Sequence, residues 1–293
     1  MRTAGPATAA IAAVLLIPGI ASCGGGSEPE QPSESPDELL REAVANPATS
    51  GEAEIDVDAT LEGDSLLAGP VGAELGGPFA LDEAGGLPSF DFELDADVAG
   101  FGVDGELVST GDDAFVVFFG ENYRVGAARV AELERGLLAA RDEGGPPSLG
   151  LEVDKWFSDA RYAGSEEVGG TETERIEGTL DSRAAAQDLS GLIAGLGAPQ
   201  LIRELAAGAG DGPVEAWVAY DDHTVRRLRA QFPFTVPRAR RAEAGGISGG
   251  AITLDAEISD VGADVAVEPP EGGGFQPIEQ LIERVQSLAG LAF

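Results

Sequence analysis

Basic charge, cysteine and histidine are all scarce in this chain, and each shortage closes a class of function. Lysine and arginine number 18 against 52 aspartates and glutamates in 293 residues, a formal net charge of −34. A chain of that sign repels phosphate backbones, which excludes nucleic acid as the main partner. One cysteine excludes a disulfide framework and any Cys-rich zinc site. One histidine excludes most His-based metal sites and makes His catalysis a single-candidate question. Lys155 is the only lysine, so nearly all positive charge is arginine, a bias that reads as genome composition. The apolar stretch at residues 7–21 is shorter than the roughly 20 residues a membrane helix needs. The full chain is 43% hydrophobic, too apolar for a disordered acidic tail and long enough for a sizeable core. With 42 glycines and 18 prolines, many turns and short strands are expected.

The N-terminus reads as a secretory signal. Arg2 gives a positive start, and residues 7–21 are apolar and rich in small side chains. The run ends Ile20-Ala21-Ser22-Cys23, which resembles the bacterial lipobox. That resemblance implies that Cys23 is diacylated on sulfur and becomes the new N-terminus. The sole cysteine sits where the motif needs it; the plainer alternative is cleavage after a small residue, leaving a free thiol. Residues 23–36 are Gly, Ser, Glu and Pro-rich and read as a flexible tether. The expected organisation is a signal peptide at 1–22, the lipidated Cys23 and tether at 23–36, and one folded domain at 37–293.

Within that domain the clearest pattern is alternation. Residues 54–62 and 90–98 switch between polar and apolar at every step. Period two means strands with one apolar and one wet face, hence an antiparallel sheet solvated on one side. Further strands are expected at 104–109, 114–119, 213–220, 225–234, near 252–258 and at 263–267. Two short strands flank Gly169-Gly170 within 167–181. Helices are expected after Pro36, over 127–141, after a Ser182 cap, over 199–207 and over 277–291. The fold class is therefore α+β: one large curved antiparallel sheet of ten or eleven strands, with helices over its concave apolar face.

The order of elements carries a resemblance. A lipobox and a helix are followed by Gly77-Pro78-Phe79, Leu87-Pro88-x-Phe90-Asp91, Ser109-Thr110-Gly111-Asp112 and Gly120-Glu121-Asn122-Tyr123. Lys155-Trp156, Val168-Gly169-Gly170-Thr171-Glu172-Thr173 and Trp217-Val218-Ala219-Tyr220 complete it. This resembles the LolA/LppX-like bacterial lipoproteins of actinobacterial type. The resemblance implies a half-barrel around helices, lipid or lipoprotein carriage in some members, sensing in others, and no enzyme activity or cofactor. It implies a cell-membrane location on the extracytoplasmic face. The partners it implies are a lipid or other apolar small molecule, the membrane through the anchor, or a protein of the envelope. Ile55, Val57, Leu61, Phe90, Phe92, Leu94, Phe232, Phe234 and Leu254 are the candidate cavity residues. Residue identity alone reads them equally as packed core.

Gly100-x-Gly102-x-x-Gly105 has the letters of a dinucleotide loop but lies between strand patterns, so a Gly-rich β turn is expected. Gly246-x-Ser248-x-Gly250 has the letters of a nucleophile elbow but precedes a strand. His223 falls in a turn with no nucleophile identifiable beside it. The alternating acids Glu54, Asp56, Asp58, Glu62, Asp91, Glu93, Asp95 and Asp97 admit three readings: a solvated face, pairing with arginines of a neighbouring strand, or a Ca²⁺ site. No EF-hand loop exists and alternate strand acids rarely converge on one ion, so no metal is expected. Arg226, Arg227, Arg229, Arg238, Arg240 and Arg241 crowd into 16 residues. Arg227 and Arg229 would neutralise acids; Arg238, Arg240 and Arg241 are candidates for anionic headgroups. Trp156 and Trp217 read as packing anchors.

Overall fold

The alternating segments become the long central strands of a single sheet. The computed structural model describes residues 34–64, 69–82, 86–98, 100–142, 151–194, 208–242, 244–272 and 274–291. All described residues belong to one compact unit, Glu34–Phe293. The signal segment, Cys23, the break at 144–147 and the helix expected at 199–207 lie outside the described residues.

Strands β1 (Ser50–Gly63), β2 (Gly69–Ala80), β3 (Ser89–Val98), β4 (Phe101–Thr110), β5 (Ala114–Phe118) and β6 (Glu121–Arg124) form one arm. Strands β7 (Phe157–Val168), β8 (Thr171–Leu180), β9 (Pro213–Ala219), β10 (Val225–Thr235) and β11 (Ile247–Ser259) form the other. The short β12 (Gln276–Pro277) follows them in the chain. Their order is β12-β6-β5-β4-β3-β2-β1-β11-β10-β9-β8-β7, so the curved sheet is open, with β12 and β7 at its edges. Every pair is antiparallel except β12 with β6. Among the described residues four α-helices accompany it: α1 (Pro36–Ala45), α2 (Ala127–Asp142), α3 (Ser182–Ala194) and α4 (Ile278–Leu291). This is the expected α+β half-barrel.

Several expectations are corrected. β2 and β6 had no strand signature, and β7 starts ten residues earlier than the pattern suggested. β2 runs between β1 and β3, so the two acid strands do not pair directly. Residues 263–267 are not a strand, because β1 and β10 already occupy both edges of β11. Asp181, not Ser182, caps α3: its Oδ1 accepts from the N–H of Arg183 and of Ala184. Ser182 instead donates its hydroxyl to the Gly210 carbonyl.

Two packed clusters mark the ends of the sheet. At the β7–β10 end, Leu39, Leu40 and Ala43 of α1 and Ala185 of α3 cover Ile176, Leu180, Val214, Ala216, Val218, Leu228 and Ala230. α1 is set by a capping box between Ser35 and Glu38, with Pro36 at its first turn. Trp156 is fully buried there, and its Nε1–H donates to Asp188 Oδ2 at 2.8 Å. At the other end, Ile278 and Leu281 of α4 pack on Tyr123, with Val116, Phe118 and Ile282 around them. Arg284 and Tyr123 both donate to Glu121 Oε2, and Arg129 of α2 reaches Glu279 of α4 at 3.5 Å.

Candidate functional site

The register puts all nine candidate apolar residues on one face of the sheet. Ile55 lies opposite Leu75, which lies opposite Leu94. Val57 lies opposite Leu254, Leu254 opposite Ala230, and Phe234 and Leu61 both oppose Gly250. Phe90 and Phe92 stack with ring centroids 4.9 Å apart. Burial then divides the set. Phe234 is buried, and Phe232 and Leu254 pack against the β7–β10 cluster. Ile55, Val57, Leu61, Phe90, Phe92 and Leu94 are only half-buried. Among the described residues, neither packed cluster includes any residue of β1–β4. Among the described residues, these half-buried side chains form an apolar strip along the middle of the sheet, between the two packed clusters. Completing the burial of one such side chain is worth about 1 kcal/mol.

The opposite face is acid. A trough of about 910 Å³ runs over it, lined by Glu52, Glu54, Glu74, Asp91, Glu93, Asp95, Asp104, Glu106 and Glu257. Its chemistry is wrong for an acyl chain. Like charges stand directly opposite one another: Glu93 with Glu106, Asp95 with Asp104, Asp56 with Asp255. Burial, with Asp91 and Glu93 beside it, raises the Glu106 carboxyl above its ordinary range. Relief comes from β10. Arg227 binds both Asp255 oxygens, at 2.8 and 2.7 Å, and approaches Glu257 at 3.9 Å. Arg229 approaches Asp255 at 3.7 Å. The expectation that Arg227 and Arg229 neutralise acids of an adjacent strand therefore holds with Asp255 and Glu257 of β11, while among the described residues no ion pair reaches the eight alternating acids of β1 and β3. Trp217 lies on this face yet is buried, with the Arg227 guanidinium 5.2 Å from its ring centroid and its Nε1–H donating to Glu166. Arg238, Arg240 and Arg241 are exposed on and beside the 3₁₀ turn Arg238–Arg240, with Arg241 Nε–H donating to the Val236 carbonyl.

The remaining motifs resolve by position. Gly100 sits at the β3–β4 turn and Gly102 and Gly105 lie in β4, so no helix start faces that loop. Ser248 lies in β11 and accepts, through its carbonyl, from Val236 just past one end of β10. His223 precedes the other end of β10, so the two cannot act together. Arg226 is buried and donates to Asp222 Oδ2 at 2.7 Å. His223 is no bare turn residue: its Nδ1 is 3.0 Å from Glu42 Oε2, across a separation of 181 residues.

No described helix is long and apolar enough to cross a membrane. No protein-family model and no curated protein matches the chain. Solved structures do. LprF from Mycobacterium bovis is 16% identical, with 81% of this chain and 97% of that one covered and a TM-score of 0.41. The Mycobacterium tuberculosis lipoprotein LppX is 16% identical, with coverages of 80% and 98% and a TM-score of 0.39. A LolA superfamily protein from Nitrosomonas europaea is 8% identical, with coverages of 82% and 96% and a TM-score of 0.21. These structures are of the LolA/LppX-like kind that the order of elements resembles.

Proposed function

We propose that this chain is a membrane-anchored extracytoplasmic lipoprotein that holds a lipid, or another apolar ligand, against the apolar strip of β1–β4. The observation that carries the reading is the half-buried state of Ile55, Val57, Leu61, Phe90, Phe92 and Leu94 between two packed ends. Each methylene of an acyl chain laid there gains about 0.8 kcal/mol. The lipobox supplies the anchor: Cys23 carries the acyl groups, residues up to 36 form the tether, and 37–293 form one half-barrel domain. Exposed Arg238, Arg240 and Arg241 face anionic headgroups at the membrane or on the ligand. No reaction is proposed, and helix movement admits and releases the ligand.

A second reading has its own observation. Phe119 is 59% exposed and lines the acid trough, which suits an anchored scaffold or sensor that binds a protein. One experiment separates the two. The full-length chain carrying Cys23→Ser is purified without detergent, weighed by native mass spectrometry and extracted with organic solvent. A stoichiometric lipid adduct, lost in Leu94→Asp, is the outcome the carrier reading expects. A clean apo mass with no uptake from vesicles of membrane phospholipid rejects it in favour of the protein partner.

A further inference from the structure

Where α1 meets the β9–β10 turn, three side chains with metal-ligating atoms converge. We propose that Glu34, Glu42 and His223 bind one divalent transition-metal ion of the zinc type. One ligand atom from each residue lies within 4.8 Å of the other two. His223 Nδ1 and Glu42 Oε2 are already 3.0 Å apart. Zinc bonds of about 2.0–2.2 Å place tetrahedral ligand atoms about 3.3 Å from each other. Side-chain rotation alone closes that gap, and the fourth position is left to water.

The donor set selects the ion. One imidazole nitrogen with two carboxylates suits Zn²⁺ and its first-row neighbours, whereas Ca²⁺ and Mg²⁺ take oxygen only. This separates the site from Glu54, Asp56 and Glu74, a second trio that is all carboxylate and belongs to the acid face. Two carboxylates close together also repel until a cation joins them. Among the described residues, the one ion pair either of them makes is that of Glu42 with His223.

The surroundings fix the backbone that carries the three ligands without the metal. His223 sits at φ 54, a left-handed turn position. Asp222 fixes that turn: its Oδ1 accepts from the N–H and hydroxyl of Thr224, and its Oδ2 accepts from Arg226. Asn46, at the C-terminus of α1, donates its side-chain amide to the Asp222 carbonyl. Tyr162 donates its hydroxyl to the Glu34 carbonyl at 2.8 Å. The ion would thus cross-link α1 to the β9–β10 hairpin, locking onto the sheet the helix whose Leu39, Leu40 and Ala43 cover the core. Binding to the folded state alone stabilises it in proportion to ln(1 + [metal]/Kd). This site stands independently of the lipid reading.

The test is calorimetric titration of the chelator-stripped full-length chain with Zn²⁺, and a Co²⁺ absorption spectrum for coordination geometry. One saturable 1:1 site above the weak background of the acid surface is expected. His223→Asn keeps the left-handed turn, because Asn tolerates that conformation, and lowers the affinity at least about tenfold. Glu42→Gln does the same, and a Glu54→Gln/Glu74→Gln control retains the site. Circular dichroism confirms that each variant is folded. Absence of a 1:1 site in the unsubstituted chain, wild-type affinity in His223→Asn, or loss of the site in the control overturns the proposal.

Discussion

At Glu106, desolvation acts with the neighbouring acids Asp91 and Glu93, and together they raise the carboxyl pKa above its ordinary 4.5. The sign of the consequence follows. A carboxyl whose pKa is higher folded than unfolded binds its proton more tightly in the native state. Its stabilising contribution is full below about pH 4.5 and is lost as pH rises through the raised value. Above the raised value the residue is charged, opposite Glu93, and works against the fold. Glu106→Gln therefore raises Tm at pH 7 by about 1–2 °C, a small figure because the site is partly solvated. It also flattens the acid side of the stability profile. Thermal melts from pH 4 to 8 check this; an unchanged or lowered Tm at pH 7 rejects it. The opposite case is Arg227, where the Asp255 carboxylate raises the guanidinium pKa and the pair is bidentate.

Elements with alternating sequence were legible, and elements defined by their neighbours were not. β1, β3, β10 and β11 carry a strict period of two, so both their existence and their faces could be read from residues such as Ile55, Phe92, Phe232 and Leu254. β2 could not, because Gly69, Pro70, Gly72, Gly76, Gly77 and Pro78 erase the pattern. It is a strand because β1 and β3 each lend it an edge. That role explains Gly77. Its φ is 147, and a Cβ there would stand 2.0 Å from the Asp91 carbonyl oxygen of β3. Gly77→Ala should cost roughly 2–4 kcal/mol, since backbone rather than a movable side chain must give way. Urea unfolding measures it; a loss under about 0.5 kcal/mol would mean that β3 withdraws freely. The candidate site was legible to the same degree. Alternation placed the nine apolar residues on one face. It could not say that Phe234 is sealed while Leu94 is half-buried, since that depends on where α1, α3 and α4 come to rest. Glu34, Glu42 and His223 left no signal, being joined only by tertiary packing. Trp217 read as a packing anchor and is buried, with Arg227 and Glu166 of the acid face against it.

Over the whole molecule the two faces of the sheet set opposite requirements. One face needs apolar cover at its middle; the other holds carboxylate against carboxylate from β11 across to β4. Compensation is lopsided. Among the described residues, Arg227 and Arg229 pair with Asp255 and Glu257 at the β10 side, and no ion pair reaches the acids of β3. Repulsion between partly solvated charges is screened by salt, with a Debye length of about 30 Å at 0.01 M and about 3 Å at 1 M. Stability should therefore climb with ionic strength, by about 5 °C in Tm between 10 mM and 1 M NaCl at pH 7. Salt also strengthens apolar burial by exclusion from the surface, which sulfate does strongly and chloride weakly. The two effects separate by concentration, because screening acts mostly below about 0.2 M while exclusion grows steadily at molar levels. NaCl and KCl should give one curve, rising early and then flattening. Arg227→Gln should lower Tm most at low salt and recover part of the loss as salt rises. A Tm that stays flat to 0.2 M, or an Arg227→Gln deficit independent of salt, would mean that solvation already quenches the acid face. Its trough of carboxylates would then owe nothing to strain between the strands that carry them.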